Sequence, residues 1–128
     1  MFGRLALALA EHEGTLLSMM VFGNVSAHTE AMQAMEAALG VPVWPVTWVE
    51  GASCEGAPLA GVQAFAVAGA EVQRLVLGGR VLGSIYDDGA ARHCLLGGLG
   101  PTAVAGMERP AQVQQMFAAL ESALDLAG

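Results

Sequence analysis

Arg92-His93-Cys94-Leu95-Leu96-Gly97-Gly98-Leu99-Gly100-Pro101 is the stretch on which the fold turns. An apolar run of strand length enters a corner of small residues and stops at a proline. A short loop follows, then Gln112-Val113-Gln114-Gln115-Met116-Phe117-Ala118-Ala119-Leu120-Glu121-Ser122-Ala123-Leu124-Asp125-Leu126-Ala127-Gly128. Val113, Met116, Phe117, Leu120 and Leu124 recur at the 3.6-residue period of an amphipathic helix. Pro110 suits its first turn, and Gly128 closes it. Those five residues are expected to be its buried face.

Upstream of the corner the period is that of strands. Val62 to Ala68, Glu71 to Leu77, Arg80 to Tyr86 and Arg92 to Leu96 are four short runs. Gly69, Gly78-Gly79 and Asp87-Asp88-Gly89 separate them, and these residue types make turns. The pattern predicts an antiparallel meander. The first third reads differently. Thr15 to Phe22 is a short buried strand, broken by Gly23 and Asn24. Ser26 can cap a helix running to about Leu39, with Met32, Met35 and Leu39 on one face and Gly40 and Pro42 as its stop. Val43 to Val49 is a β-branched and aromatic strand, and Pro45 places it at an edge or makes it begin irregularly. Residues 51–61 are a loop. The expected fold class is α+β: a β-α-β unit over 15–50, then a meander and helix over 62–128, in a single domain. It predicts a mainly antiparallel sheet with two helices on one face. No repeat is evident in the sequence.

The corner and closing helix resemble the first half of the Rid (YjgF-like) family. There a strand ending in Ser-Gly-Gln-Ile-Pro precedes a helix that opens with Gln-Thr and closes with Ala-Gly. Gly98 and Pro101 match the corner, and Gln112 and Ala127-Gly128 match the helix; Gly97, Leu99, Gly100 and Val113 depart from it. In that family the meander and first helix precede a β-α-β unit. The reverse order here resembles a circular permutant, or the interior of longer Rid-like and chorismatase-like proteins, in which a further β-α-β segment would follow Gly128. As a permutant, the chain would place Gly128 near Thr15.

The resemblance implies a cytoplasmic homotrimer whose inter-subunit clefts take a small carboxylate metabolite. It implies imine or enamine deaminase-type hydrolysis, or chorismate-type chemistry. An Arg in the β-α-β half would grip the carboxylate in bidentate fashion. Val43 to Glu50 holds no Arg, which argues against ordinary deaminase turnover. Glu50 matches the strand-end acid, and Arg92 or Arg80 would have to replace the missing guanidinium. The alternative is a non-catalytic binding or assembly module that keeps the fold.

Composition narrows the classes. Of 128 residues 55% are apolar and 13% charged, so part of the surface is expected to be covered by other copies of the chain. The net charge is −7, and the basic residues are five Arg with no Lys, which is no nucleic-acid footprint. Cys54 and Cys94 make no disulfide framework, which favours a reduced compartment. Leu5 to Ala10, after Arg4, has the outline of a signal peptide. It is too short, and Glu11 and Glu13 follow at once. No run reaches the roughly 18 apolar residues of a membrane span.

Single residues carry weaker signals. Gly97 and Gly98 would let backbone donors approach a ligand, or simply make a tight corner. The glycine spacing fits no dinucleotide fingerprint, and no cofactor is expected. Strand alternation puts Arg92 and Cys94 on one face and His93 on the other, so His93 and Cys94 do not share a metal. Cys94 is expected to be a buried structural thiol rather than a catalytic one, and His93 a surface or interface residue. Asp87-Asp88-Gly89 is a solvated turn or, less simply, a cation site. Trp44 and Trp48, four apart on one strand face, pack against helices or line a pocket for a flat ligand.

Overall fold

The computed structural model describes residues 1–101 and 106–128; the loop expected after Pro101 lies partly outside them. The protein is α+β. Helix α1 (Phe2–Glu11) leads into strand β1 (Gly14–Gly23). A short 3-10 turn (Val25–Ala27) and helix α2 (His28–Leu39) follow, then β2 (Val46–Glu50) and β3 (Leu59–Ala68). Strands β4 (Gln73–Leu77), β5 (Arg80–Asp87) and β6 (Arg92–Leu96) precede helix α3 (Arg109–Ala127).

The expected single sheet is two three-stranded sheets, ordered β2-β1-β3 and β4-β5-β6. β1 runs parallel to β2 and antiparallel to β3. The meander therefore breaks after its first strand: β3 pairs with β1, not with β4. Gly69, at φ +70°, turns the chain out of the first sheet. β2 lies at an edge and starts only after Pro45, as that proline requires. Pro45 still contributes its carbonyl, which accepts the Met19 amide at 3.0 Å.

Among the described residues three α-helices, not two, cover the sheets. Leu5 to Ala10 belongs to α1, whose Phe2 is buried while Leu5 and Leu9 pack on the same cluster. Phe2, Leu5 and Leu9 share one helical face, a period hidden by the apolar residues between them. The core of this half is Phe2, Leu16, Met19, Val21, Met35 and Trp44, packed between α1, α2 and the first sheet. The 3-10 turn before α2 is capped by Asn24, whose side chain accepts the Ser26 amide at 3.1 Å; Ser26 is not the cap.

A β-bulge joins the two halves. The register of β1 against β3 slips between Leu16 and Ser18. The carbonyl of Leu17, at the slip, accepts a hydrogen bond from Ser84 Oγ of β5 at 2.5 Å. Ser84 is wholly buried, and its hydroxyl also accepts from Arg74 Nη1 of β4 at 2.5 Å. One hydroxyl can donate and accept together. Partial burial pulls the Arg74 guanidinium below its ordinary value, but an arginine keeps its charge.

α3 lies on the second sheet with a face other than the expected one. Ala123 is its fully buried residue, and Ala119, Leu120 and Ala127 are half-buried beside it. Val113, Phe117 and Leu124 are 48%, 54% and 51% exposed. Small alanines let the helix approach the strands closely, and that turns the large side chains outward.

Ser84→Ala should destabilise the fold by about 1–3 kcal/mol, because it strands both the Leu17 carbonyl and the Arg74 guanidinium. Urea denaturation monitored by circular dichroism reads this as a lower midpoint at unchanged slope. A midpoint equal to that of the parent would contradict the seam.

Candidate functional site

The glycine corner is packed against the edge strand β2. The Gly97 amide donates to the Leu82 carbonyl at 3.0 Å, and the Gly98 amide to Thr47 Oγ1 at 2.8 Å. A Cβ on Gly97 would stand 3.0 Å from Thr47 Oγ1. On Gly98, at φ +63°, it would stand 2.9 Å from the Val46 carbonyl oxygen. The glycines thus serve close backbone approach, and their two amides already have partners within the protein.

Arg80 belongs to the same corner. Its Nη2 donates to the carbonyls of Gly98 and Gly100, the latter at 2.9 Å. The guanidinium ties the corner to the start of β5. Of the two arginines considered as carboxylate holders, Arg80 is therefore engaged by the backbone. Arg92 is exposed at the start of β6, opposite Asp87 in the strand register. Among the described residues the ion pair within 4.0 Å is His93–Asp88, and Arg92 makes none.

Arg92 borders a cleft of about 580 Å³ with Glu71, Gln73, Ile85, Tyr86 and Asp87. That is within the usual size of small-molecule sites. The cleft presents one cation, two carboxylates, an amide and a phenol around an apolar floor. Glu71, Gln73 and Tyr86 were not legible as site residues. Asp87, a residue of the hairpin turn, reaches the cleft because the strand register sets it opposite Arg92. The last turn of α3 adjoins this rim: a Cβ on Gly128 would lie 3.7 Å from Arg92 Nη1. Thr15, by contrast, pairs with Val67 in the first sheet, and the helix that leads into its strand is α1.

Cys94 is exposed, not buried as expected. On a three-stranded sheet β6 is an edge strand, and Cys94 on it is open to solvent. Partial desolvation raises the thiol above its ordinary value, against the opposing pull of Arg92, so it is no activated nucleophile at neutral pH. Cys54 is exposed as well, in the loop after β2.

Trp44 and Trp48 do not share a strand face, because β2 begins two residues after Trp44. Trp44 is part of the core cluster, and Trp48 packs against it. Trp48 also meets the His28 ring edge-on, at 4.9 Å between centroids. The indole N–H groups of both tryptophans are buried without a partner among the described residues. Glu50 is exposed at the end of β2, level with Gly23. Arg80, Gly97 and Gly98 thus come together, whereas Trp48 and Glu50 lie on the first sheet and Arg92 on the far rim of the second. No group of three or more His, Cys, Asp or Glu among the described residues could hold a metal ion. No described helix is long and apolar enough to cross a membrane.

The hairpin beyond the cleft is the solvated turn. Asp88 Oδ1 accepts the amides of Ala90 and Ala91 at 2.9 and 2.8 Å, and Asp87 Oδ1 accepts the Gly89 amide at 2.7 Å. Asp88 Oδ2 meets His93 Nε2 at 2.7 Å, and the His93 ring stacks on Tyr86 at 4.7 Å. His93 is held on the face opposite Arg92 and Cys94, as alternation requires.

Neither protein-family models, curated proteins nor solved structures match the chain.

The backbone amides of Ala91 and Ala90, and then His93, hold Asp88 down at about 2. Its folded value lies below the ordinary 3.8, so the turn's contribution is intact above that pH and is lost as pH falls through about 2. Carbon-detected NMR of the side-chain carboxyl should give a midpoint near 2. A midpoint at the ordinary aspartate value would show that the turn does not hold the carboxylate.

Proposed function

We propose that the protein binds a small carboxylate-bearing metabolite in the Arg92 cleft, in the manner of a Rid-like small-molecule protein. The observation that supports this reading is the different fate of its two candidate arginines. Arg80 is engaged by the carbonyls of Gly98 and Gly100, while Arg92 stands on the cleft without an ion pair among the described residues. A planar guanidinium fits a carboxylate with two parallel hydrogen bonds. Tyr86 and Gln73 add uncharged donors. Glu71 and Asp87 supply negative charge for the nitrogen of a 2-amino or 2-imino acid, so one small molecule can satisfy both signs.

Binding is the activity this site supports, rather than fast turnover. β2 carries no Arg, and losing a desolvated charged contact of that kind costs about 2–5 kcal/mol. Arg92 is exposed, so its pairing is screened and affinities should fall near the millimolar range, about −4 kcal/mol. A second reading, a non-catalytic assembly module, is favoured by the bare apolar face of α3.

Isothermal titration with a three-carbon 2-oxo acid and the matching 2-amino acid tests the proposal. Arg92→Ala should weaken both by about tenfold or more, equivalent to 1.4 kcal/mol, and Arg92→Lys should restore only part. Affinity indifferent to Arg92 would sink the assignment, and robust hydrolysis of a simple 2-imino acid would sink the binding-only reading.

A further inference from the structure

α1 and α3 are two versions of one helix. Met1-Phe2-Gly3-Arg4-Leu5-Ala6-Leu7-Ala8-Leu9 and Met116-Phe117-Ala118-Ala119-Leu120-Glu121-Ser122-Ala123-Leu124 carry Met, Phe, Leu, Ala and Leu at the same five positions. Both helices also finish on a left-handed residue at the same offset, Glu13 at φ +48° and Gly128 at φ +86°. The repeat escapes a reading in which residues 5–10 are only an apolar run. It becomes plain once α1 is a helix.

The two copies bury different sides. In α1, Phe2 is buried and Leu5 and Leu9 pack on the cluster that also holds Met35 and Met32 of α2. In this chain the pattern is therefore a face that receives another helix. In α3 the matching Phe117 and Leu124 are more than half exposed, and Val113 extends the stripe by one turn. α3 rests on its sheet through Ala123 instead. Among the described residues, its helix-receiving face is left open at Val113, Phe117 and Leu124, with Leu120 half-buried at its edge.

We propose that this face of α3 docks against the same face of a second copy of the chain, antiparallel about a two-fold axis. The stripe is self-complementary in that arrangement. Setting Val113 opposite Leu124 of the partner subunit also sets Phe117 opposite Leu120 of the partner subunit, and symmetry makes each contact twice. The charges agree with it. Arg109 in the first turn reaches the last turn of the other helix, where Asp125 of the partner subunit lies. Glu121 and Asp125 meet Met116 and Gln112 of the partner subunit, so no carboxylate faces a carboxylate. Opposed helix dipoles favour the same orientation. The 19 residues of α3 span about 28 Å. One such helix face is smaller than the roughly 800 Å² per partner of a standard interface. The dimer should therefore be reversible, with a dissociation constant on the order of micromolar.

Sedimentation equilibrium of the full chain over a concentration series tests this. The mass should rise from 13.1 kDa to twice that value. Phe117→Asp should keep the circular dichroism spectrum and remain a monomer. Leu7→Asp, which removes an even more exposed apolar side chain from α1, should leave association unchanged. In a Cys54→Ser, Cys94→Ser background, Val113→Cys with Leu124→Cys should oxidise to a covalent dimer, and neither single cysteine variant should. A monomer at about 100 µM, well above the expected constant, would overturn the proposal. A trimer, a dimer that survives Phe117→Asp, or a double-cysteine variant that stays unlinked would overturn it equally.

Discussion

The carbonyl of Leu17 is the point on which the architecture depends. A β-bulge in β1 takes it out of the ladder with β3 and turns it toward the second sheet. A buried carbonyl without a partner is costly, so whatever packs there has to bring a donor. β5 brings Ser84, and β4 brings Arg74 to occupy the other side of the hydroxyl. Every strand of the second sheet is then set relative to β1, either through this relay or through pairing with β5. The choice of serine follows from the geometry: it is small enough for a fully buried position and has one donor and free acceptor capacity.

The candidate site inherits its form from that seam. With β5 fixed against β1, the chain after β6 has to pass directly over the edge of β2. Only glycines allow such an approach, and Arg80 then closes the corner through two carbonyls. The feature that stands out in the sequence, the glycine run, is consequently an internal joint. The groups left for outside chemistry lie at the other end of the second sheet. There the hairpin held by Asp88 sets Asp87 opposite Arg92, and Glu71 and Gln73 complete the rim.

The sequence was legible wherever a local signal decides the outcome. Gly69, Gly78-Gly79 and Asp87-Asp88-Gly89 marked the strand ends, Pro45 marked an edge, and strand alternation separated His93 from Arg92 and Cys94. It was not legible wherever a non-local contact decides. The partner of β3 is chosen by β1, far back in the chain, and no turn residue announces it. The side of α3 that meets the sheet is chosen by how closely Ala123 can approach, whereas a hydrophobic stripe points to its larger residues. Cys94 looked buried by residue type, yet it falls on an edge strand. Among the candidate ligand residues, Arg92 borders the cleft, and Glu71, Gln73 and Tyr86 join it there only across strands, a proximity that no local signal in the sequence announces.

If the bulge, Ser84 and Arg74 bind the two sheets into one body, both sheets must open together. Native-state hydrogen exchange in low denaturant measures this at single amides. Met19 reports on the first sheet through its bond to Pro45, and Gly97 on the second through its bond to Leu82. The slowest amides of β1 and of β5 should exchange with the same opening free energy and the same denaturant dependence. Exchange of β4–β6 and α3 at a distinctly lower free energy, while β1–β3 stay protected, would show two independent units and contradict it.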